Sequence, residues 1–142
     1  MSSLGIQHNT VLLVEDNEDD VFLMRRLFKK EAIASKLNVV TDGKEAVKYL
    51  GGEEKYVDRA EFPIPDVVFL DLKLPFLHGF DVLSWIRTQA DLAALPVIVL
   101  SSSLEDKDKE KAKAFGSPYL VKPPSPIALK EAISLAATKA QS

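Results

Sequence analysis

Val11-Leu12-Leu13-Val14 runs without a break into Glu15-Asp16, and Val67-Val68-Phe69-Leu70 runs the same way into Asp71. Four apolar residues in a row, with no polar alternation, suit a strand buried on both faces, as in a parallel sheet covered by helices. Two further stretches repeat the pattern: Val97-Ile98-Val99-Leu100 before Ser101-Ser102-Ser103, and Tyr119-Leu120-Val121 before Lys122-Pro123. Parallel strands present their carboxyl ends on one side, and open α/β sheets bind ligands at that side. The four run ends therefore bring three carboxylates, a hydroxyl and an ammonium to one sheet edge.

The intervening sequence supplies helices. The first strand is expected at about Thr10–Glu15, followed by a helix at about Glu18–Ile33 with Val21, Met24, Leu27, Phe28 and Ala32 on one face. A short second strand, Leu37–Thr41, ends at the turn residues Asp42-Gly43. The next helix, Lys44–Leu50, stops at Gly51-Gly52. Strands at Asp66–Leu70, Val97–Leu100 and Pro118–Val121 alternate with helices near Phe80–Gln89, Glu105–Phe115 and Ile127–Ala140. This order predicts an α/β fold: a flavodoxin-like, doubly wound five-stranded parallel sheet with five helices. The chain reads as one domain over 1–142, with a core at about 10–140 and nothing left after the fifth helix for an effector domain.

Composition removes several chemistries. The 142 residues contain no cysteine, which excludes disulfides and thiol ligands, and His8 and His78 alone do not suggest a zinc site. The net charge of −3 is dispersed, with no basic stripe to track nucleic acid. No segment approaches a membrane span, and the polar Met1–Thr10 start is no signal peptide, so a cytoplasmic location is expected.

Two stretches stand out from the core pattern. Gly51–Pro65 is long for a helix-to-strand connection and enters at the edge away from the carboxylates. It reads either as a partner contact or as a tolerated surface insertion. The fourth helix, Glu-Asp-Lys-Asp-Lys-Glu-Lys-Ala-Lys-Ala-Phe, leans on pairs such as Glu105–Lys109 and buries little. Such pairs contribute roughly 0.2–0.5 kcal/mol each. A helix so thinly anchored is either a moving part or a solvated face.

Each residue at the edge has a plain structural explanation when taken singly. Glu15, Asp16 and Asp71 all stand where a helix cap would, and Lys122 before a proline would usually be solvated. Ser102-Ser103-Leu104-Glu105 matches a capping box, which leaves Ser101 for the edge. Together they ask for more. Two carboxylates about 5 Å apart repel by roughly 3 kcal/mol at an effective dielectric of 20, so a gathered acidic set calls for a cation. Mg²⁺, which takes oxygen ligands and keeps several waters, fits one or two carboxylates plus a phosphate. Asp71 is then a candidate nucleophile toward a phosphoryl donor, with Lys122 and the Ser101 hydroxyl to meet the phosphoryl oxygens.

The acidic pair Glu15-Asp16, then Asp71, Pro75 and Gly79 as Asp-x-x-x-Pro-x-x-x-Gly, then Ser101, then Lys122-Pro123 resembles the receiver domains of two-component response regulators. The resemblance covers Val11 to about Ala137 and implies the strand order 2-1-3-4-5. It implies that Asp71 is the phosphoacceptor and that Glu15, Asp16 and Asp71 hold Mg²⁺, with Asp16 and Asp71 ahead as direct ligands. The Lys73 main-chain carbonyl would add a third. It further implies Ser101 as switch hydroxyl, Lys122 as the lysine reaching the phosphoryl group, Tyr119 as switch aromatic, and a Lys122-Pro123 bond that is often cis. The long loop makes the chain look most like single-domain regulators that partner phytochrome-type histidine kinases.

Departures from the family pattern are Ser101 where threonine is commoner, Pro124 where an aromatic is common, and Lys73 two residues past Asp71. By this resemblance the partner is a sensor histidine kinase. Output is a changed surface of the fourth helix, fifth strand and fifth helix, read by an unnamed protein or by a second copy in a homodimer. The chain would catalyse only its own phosphorylation and dephosphorylation. The other readings are an aspartyl-nucleophile phosphatase, which usually needs a second carboxylate where Lys73 stands, and a receiver-like adaptor that is never phosphorylated.

Overall fold

The uninterrupted apolar runs are strands, and their alternate residues point to opposite faces. In the computed structural model, which describes residues 8–141, the strands are β1 (His8–Val14), β2 (Ala34–Val40), β3 (Val67–Asp71), β4 (Val97–Ser101) and β5 (Tyr119–Val121). The helices are α1 (Glu18–Lys30), α2 (Gly43–Gly51), α3 (Gly79–Thr88), α4 (Asp106–Ala114) and α5 (Pro126–Gln141). All strand pairs are parallel, in the order β2-β1-β3-β4-β5. Leu12, Val14, Val68, Leu70, Val97 and Val99 pack on one face with Ala46, Leu50, Val82, Leu83 and Ile86. Val11, Leu13, Val67, Phe69, Ile98 and Leu100 pack on the other with Met24, Phe28, Leu129 and Ile133. The expected doubly wound fold is the observed one.

The order reverses direction at β1, whose neighbours are β2 on one side and β3 on the other. The carboxyl ends of β1 and β3 open the crevice there. Register then sets the chemistry: Val14 pairs with Leu70, so the residues that follow, Glu15 and Asp71, meet across the crevice.

Local differences from the sequence reading have physical causes. β2 begins at Ala34 rather than Leu37, because this edge strand is only half-buried and its polar start, Ser35-Lys36, hides the pattern. Ala32 is exposed with φ 51°, past the end of α1, and Ile33 takes the buried place instead. In α4 only Ala112 is buried, as its composition predicts. Its expected Glu105–Lys109 pair is absent from the described ion pairs, and Glu105 lies 3.4 Å from Lys107. Glu105 is the N-cap with extended backbone, so helical i,i+4 spacing does not apply to it. Residues 1–7, most of the polar start read above, lie outside the described residues. Among the described residues no helix is long and apolar enough to cross a membrane.

The 51–65 connection is packed. A 3-10 turn at Glu54–Val57 buries Tyr56, and Tyr49, Tyr56 and Phe62 form mutual ring contacts at 5.0–5.8 Å. Arg59 donates to the carbonyls of Tyr49, Leu50 and Phe62 at 2.8, 3.0 and 3.1 Å, so a guanidinium caps the end of α2. Gly52 supplies the left-handed turn there, at φ 67°.

Gly79 sets how closely α3 approaches the end of β3. Its N–H donates to the Leu72 carbonyl at 2.8 Å, and a Cβ would fall on the Asp71 carbonyl oxygen and on Leu72 Cα. Those neighbours are backbone and cannot rotate away. Gly79→Ala is therefore expected to destabilise the fold by about 1–3 kcal/mol in urea unfolding. Unchanged stability would show that α3 can retreat from Asp71 freely.

Candidate functional site

The caps of the helices around the crevice are made by residues other than the site carboxylates. Asn17 caps α1, its Oδ1 accepting from Asp20 N–H at 3.0 Å. His78 caps α3 through Nδ1, which accepts from Phe80 N–H at 3.1 Å. Glu15, Asp16 and Asp71 are thereby released from capping, and each has an oxygen within 4.8 Å of the others. Glu15 is fully buried, Asp71 nearly so, and Asp16 is exposed.

Lys122 enters from the end of β5, with its N–H donating to the Ser101 carbonyl at 2.9 Å and its peptide to Pro123 cis. Its Nζ lies 2.6 Å from Glu15 Oε1, 2.9 Å from Asp20 Oδ2 and 3.2 Å from Asp71 Oδ2. Burial opposes the ammonium's charge, but hydrogen bonds to Glu15 and Asp20 and the charge of Asp71 outweigh it, holding its pKa above the usual lysine value. Glu15 moves the other way from an ordinary carboxylate, from 4.5 to about 7. Burial drives this shift, Lys122 opposes it and the nearby Asp71 charge adds to it.

The donor set of three carboxylates, with no nitrogen or sulfur among them, fits a hard divalent cation. Glu15 Oε1 is fully buried and is paired with the Lys122 ammonium at 2.6 Å. A divalent cation would offset the carboxylate charge that one ammonium leaves uncompensated.

The remaining predicted residues occupy the rim. Ser101 is buried at the tip of β4, its Oγ accepting from Ser103 N–H at 3.1 Å. Tyr119, half-buried, donates its hydroxyl to the Ser103 carbonyl at 2.9 Å. Lys73 is exposed in the loop after Asp71. The capping box does not form with Ser102 as its cap; Ser103 Oγ instead accepts from Glu105 N–H and donates to Asp108 Oδ2.

Two residues of this site escape the sequence reading, Asp20 and Ser103. A signal for Asp20 existed. It lies in the first turn of a helix, where side chains lean back toward the amino end, here the sheet edge. Ser103 had none, because its bonds depend on the local turn.

The Glu15 shift has a definite pH signature. Its folded pKa of about 7 exceeds its unfolded 4.5, so the proton is held more tightly in the fold. Its contribution to stability is full below pH 4.5 and is lost as pH rises through about 7. In chelator-treated protein, urea unfolding across that window is expected to show wild type losing stability relative to Glu15→Gln, which keeps the neutral form. Parallel pH curves for the two proteins would contradict this.

Residues 11–134 match the response regulator receiver domain. The chain is 36% identical to a probable methanogenesis regulatory protein, FilR2, of Methanothrix harundinacea, over 87% of this chain and 77% of that protein. It is 35% identical to response regulator Rcp1 of Synechocystis, over 76% and 71% of the two chains. The Mn²⁺-bound form of Rcp1 superposes with a TM-score of 0.74, at 30% identity and covering 92% and 90%. The bacteriophytochrome response regulator AtBRR superposes with a TM-score of 0.81, at 34% identity and covering 90% and 91%. The family match over residues 11–134, with these relatives in sequence and structure, assigns this chain to the response regulator receiver domain family of two-component signalling.

Proposed function

We propose that this protein accepts a phosphoryl group from a sensor histidine kinase onto Asp71, with Mg²⁺ held by Glu15, Asp16, Asp71 and the Lys73 main-chain carbonyl. The observation that carries this reading is a carboxylate at the tip of β3 with an ammonium 3.2 Å away and two more carboxylates beside it. Bound there, Mg²⁺ supplies positive charge that offsets the carboxylates and the phosphoryl oxygens. An Asp71 oxygen attacks phosphorus in line. The new O–P bond forms as the P–N bond to the donor histidine breaks, giving an aspartyl phosphate and free imidazole. Lys122 donates to a phosphoryl oxygen, which is where negative charge needs meeting.

The switch follows from the bonds at Ser103. Ser101 turns its hydroxyl to a phosphoryl oxygen and gives up the Ser103 N–H it accepts at 3.1 Å. Ser103 also holds Tyr119 through its carbonyl and the start of α4 through Asp108 and Glu105. Releasing it changes the position of Tyr119 and of α4 together, remodelling the α4-β5-α5 surface. Output is a change in what that surface binds, a second copy of the chain included. Likeness to AtBRR, a bacteriophytochrome response regulator, supports a phytochrome-type kinase as the donor; the proposed location is the cytoplasm. Lys73 in place of a second carboxylate disfavours a phosphatase, and competent residues at each chemical position disfavour an unphosphorylated adaptor.

Acetyl phosphate with Mg²⁺ is expected to add one acid-stable, hydroxylamine-labile phosphoryl group, readable by intact mass. Asp71→Asn is expected to abolish it. Labelling that persists in this variant would overturn the assignment of Asp71.

A further inference from the structure

Lys122 has three carboxylate neighbours, one for each proton of its ammonium, and they differ in kind. Glu15 and Asp71 belong to the group whose oxygens can share a cation, and Asp20 does not. Those two carboxylates would hold a divalent ion, whose charge would oppose that of the ammonium. Asp20 is then the neighbour Lys122 keeps. We propose that Asp20 is a positioning residue, which holds Lys122 against the crevice while the other carboxylates bind the metal.

The geometry suits that role. Asp20 Oδ2 accepts from Nζ at 2.9 Å, and the residue's own N–H is fixed on Asn17 Oδ1 at 3.0 Å. The carboxylate thus hangs from a capped helix turn, with little backbone freedom to follow a moving lysine. It is about a third exposed, at 32%, so water can solvate its second oxygen while the first holds the ammonium. Glu18 and Asp19, in the same turn, already provide negative charge near the helix amino end. Among the described ion pairs Asp20 alone of the three reaches Lys122. Without Asp20, a metal-loaded crevice would leave Lys122 facing positive charge with no fixed partner, and it would turn to solvent. The lysine would then meet the phosphoryl oxygens only after a search.

The inference rests on Asp71 being the phosphoacceptor, and its test separates the two. With Mg²⁺ and acetyl phosphate, Asp20→Asn and Asp20→Ala are expected to slow labelling of Asp71 by about tenfold, as for removal of a partner that orients a metal-site group. Asp20→Glu is expected to restore most of the rate. In a Lys122→Ala background the Asp20 changes are expected to have no further effect, which a merely structural role would not produce. A second readout needs no chemistry. In Mg²⁺-loaded wild type the Lys122 ammonium should give an exchange-protected ¹⁵N–¹H signal, lost in Asp20→Asn and kept in Asp20→Glu.

Wild-type labelling rates in Asp20→Asn, or equal slowing with and without Lys122, would overturn the proposal. Should Asp20→Ala fail to fold, Asp20→Asn carries the same reading with the helix turn kept. Absence of labelling in wild type would instead sink the phosphoacceptor assignment, and the ammonium signal would still decide whether Asp20 holds Lys122.

Discussion

The ammonium of Lys122 is what permits carboxylates to be buried side by side at the sheet edge. Glu15 has no solvent exposure and Asp71 little, and taking either charge from water alone would cost several kcal/mol. One half-buried cation, 2.6–3.2 Å from three carboxylates, spreads its charge over Glu15 just past β1, Asp20 of α1 and Asp71 of β3. The compensation is partial, since four carboxylates including Asp16 face one ammonium. Part of the excess is relieved by Glu15, which burial pushes toward the protonated form near neutral pH. The remaining excess of negative charge is what gives the crevice its attraction for a divalent cation.

That cluster is possible only because the scaffold beneath it is rigid and apolar. Each of the residues Val11–Val14, Val67–Leu70 and Val97–Leu100 is at most 1% exposed, and both faces of these strands are covered by helices. The parallel register then fixes which residues emerge together: Val14 beside Leu70, Asp71 beside Leu100, Ser101 beside Val121. A slip of one position on any strand would turn a core residue into the crevice and a charge into the core. The hydrophobic pattern therefore specifies the polar site, although no apolar residue takes part in its chemistry.

This explains what could be read from the residues and what could not. Central strands buried on both faces announce themselves as unbroken runs, so β1, β3 and β4 and the residues at their tips were legible. β2 was blurred because an edge strand mixes exposed and buried positions. The crevice residues followed from strand ends, since those are properties of order along the chain. Contacts made by turns were not legible. Asn17 rather than Glu15 or Asp16 caps α1, Ser103 rather than Ser102 prepares α4, and Arg59 closes α2 from a loop. Each depends on backbone angles that a residue type only biases. Asp20 belongs to the same class: its identity is plain, but its reach to Lys122 comes from the helix start and the β5 tip meeting in space.

The two ends of α4 are held by different kinds of bond, and this asymmetry sets how a change at the crevice can spread. At the carboxyl end, Arg87 from α3 donates to the carbonyls of Phe115 and Leu95 at 2.9 and 2.6 Å, and to Ser117 Oγ at 3.3 Å. Its guanidinium is partly desolvated, which lowers its pKa, and breaking those bonds would leave a half-buried charge short of partners. Phe115 adds a ring stack on Phe80, with centroids 6.3 Å apart. At the amino end each fastening is a single bond: Ser103 Oγ to the Asp108 carboxylate, Glu105 N–H to Ser103 Oγ, and the Tyr119 hydroxyl to the Ser103 carbonyl. Water can replace each of these at a net cost of about 1–3 kcal/mol, the bond to the Asp108 carboxylate being the strongest. With only Ala112 buried between the two ends, α4 has little side-chain packing to resist a tilt. In the proposed switch, a pull on Ser101 therefore loosens the amino end first, and the helix pivots on Arg87 rather than sliding along the sheet.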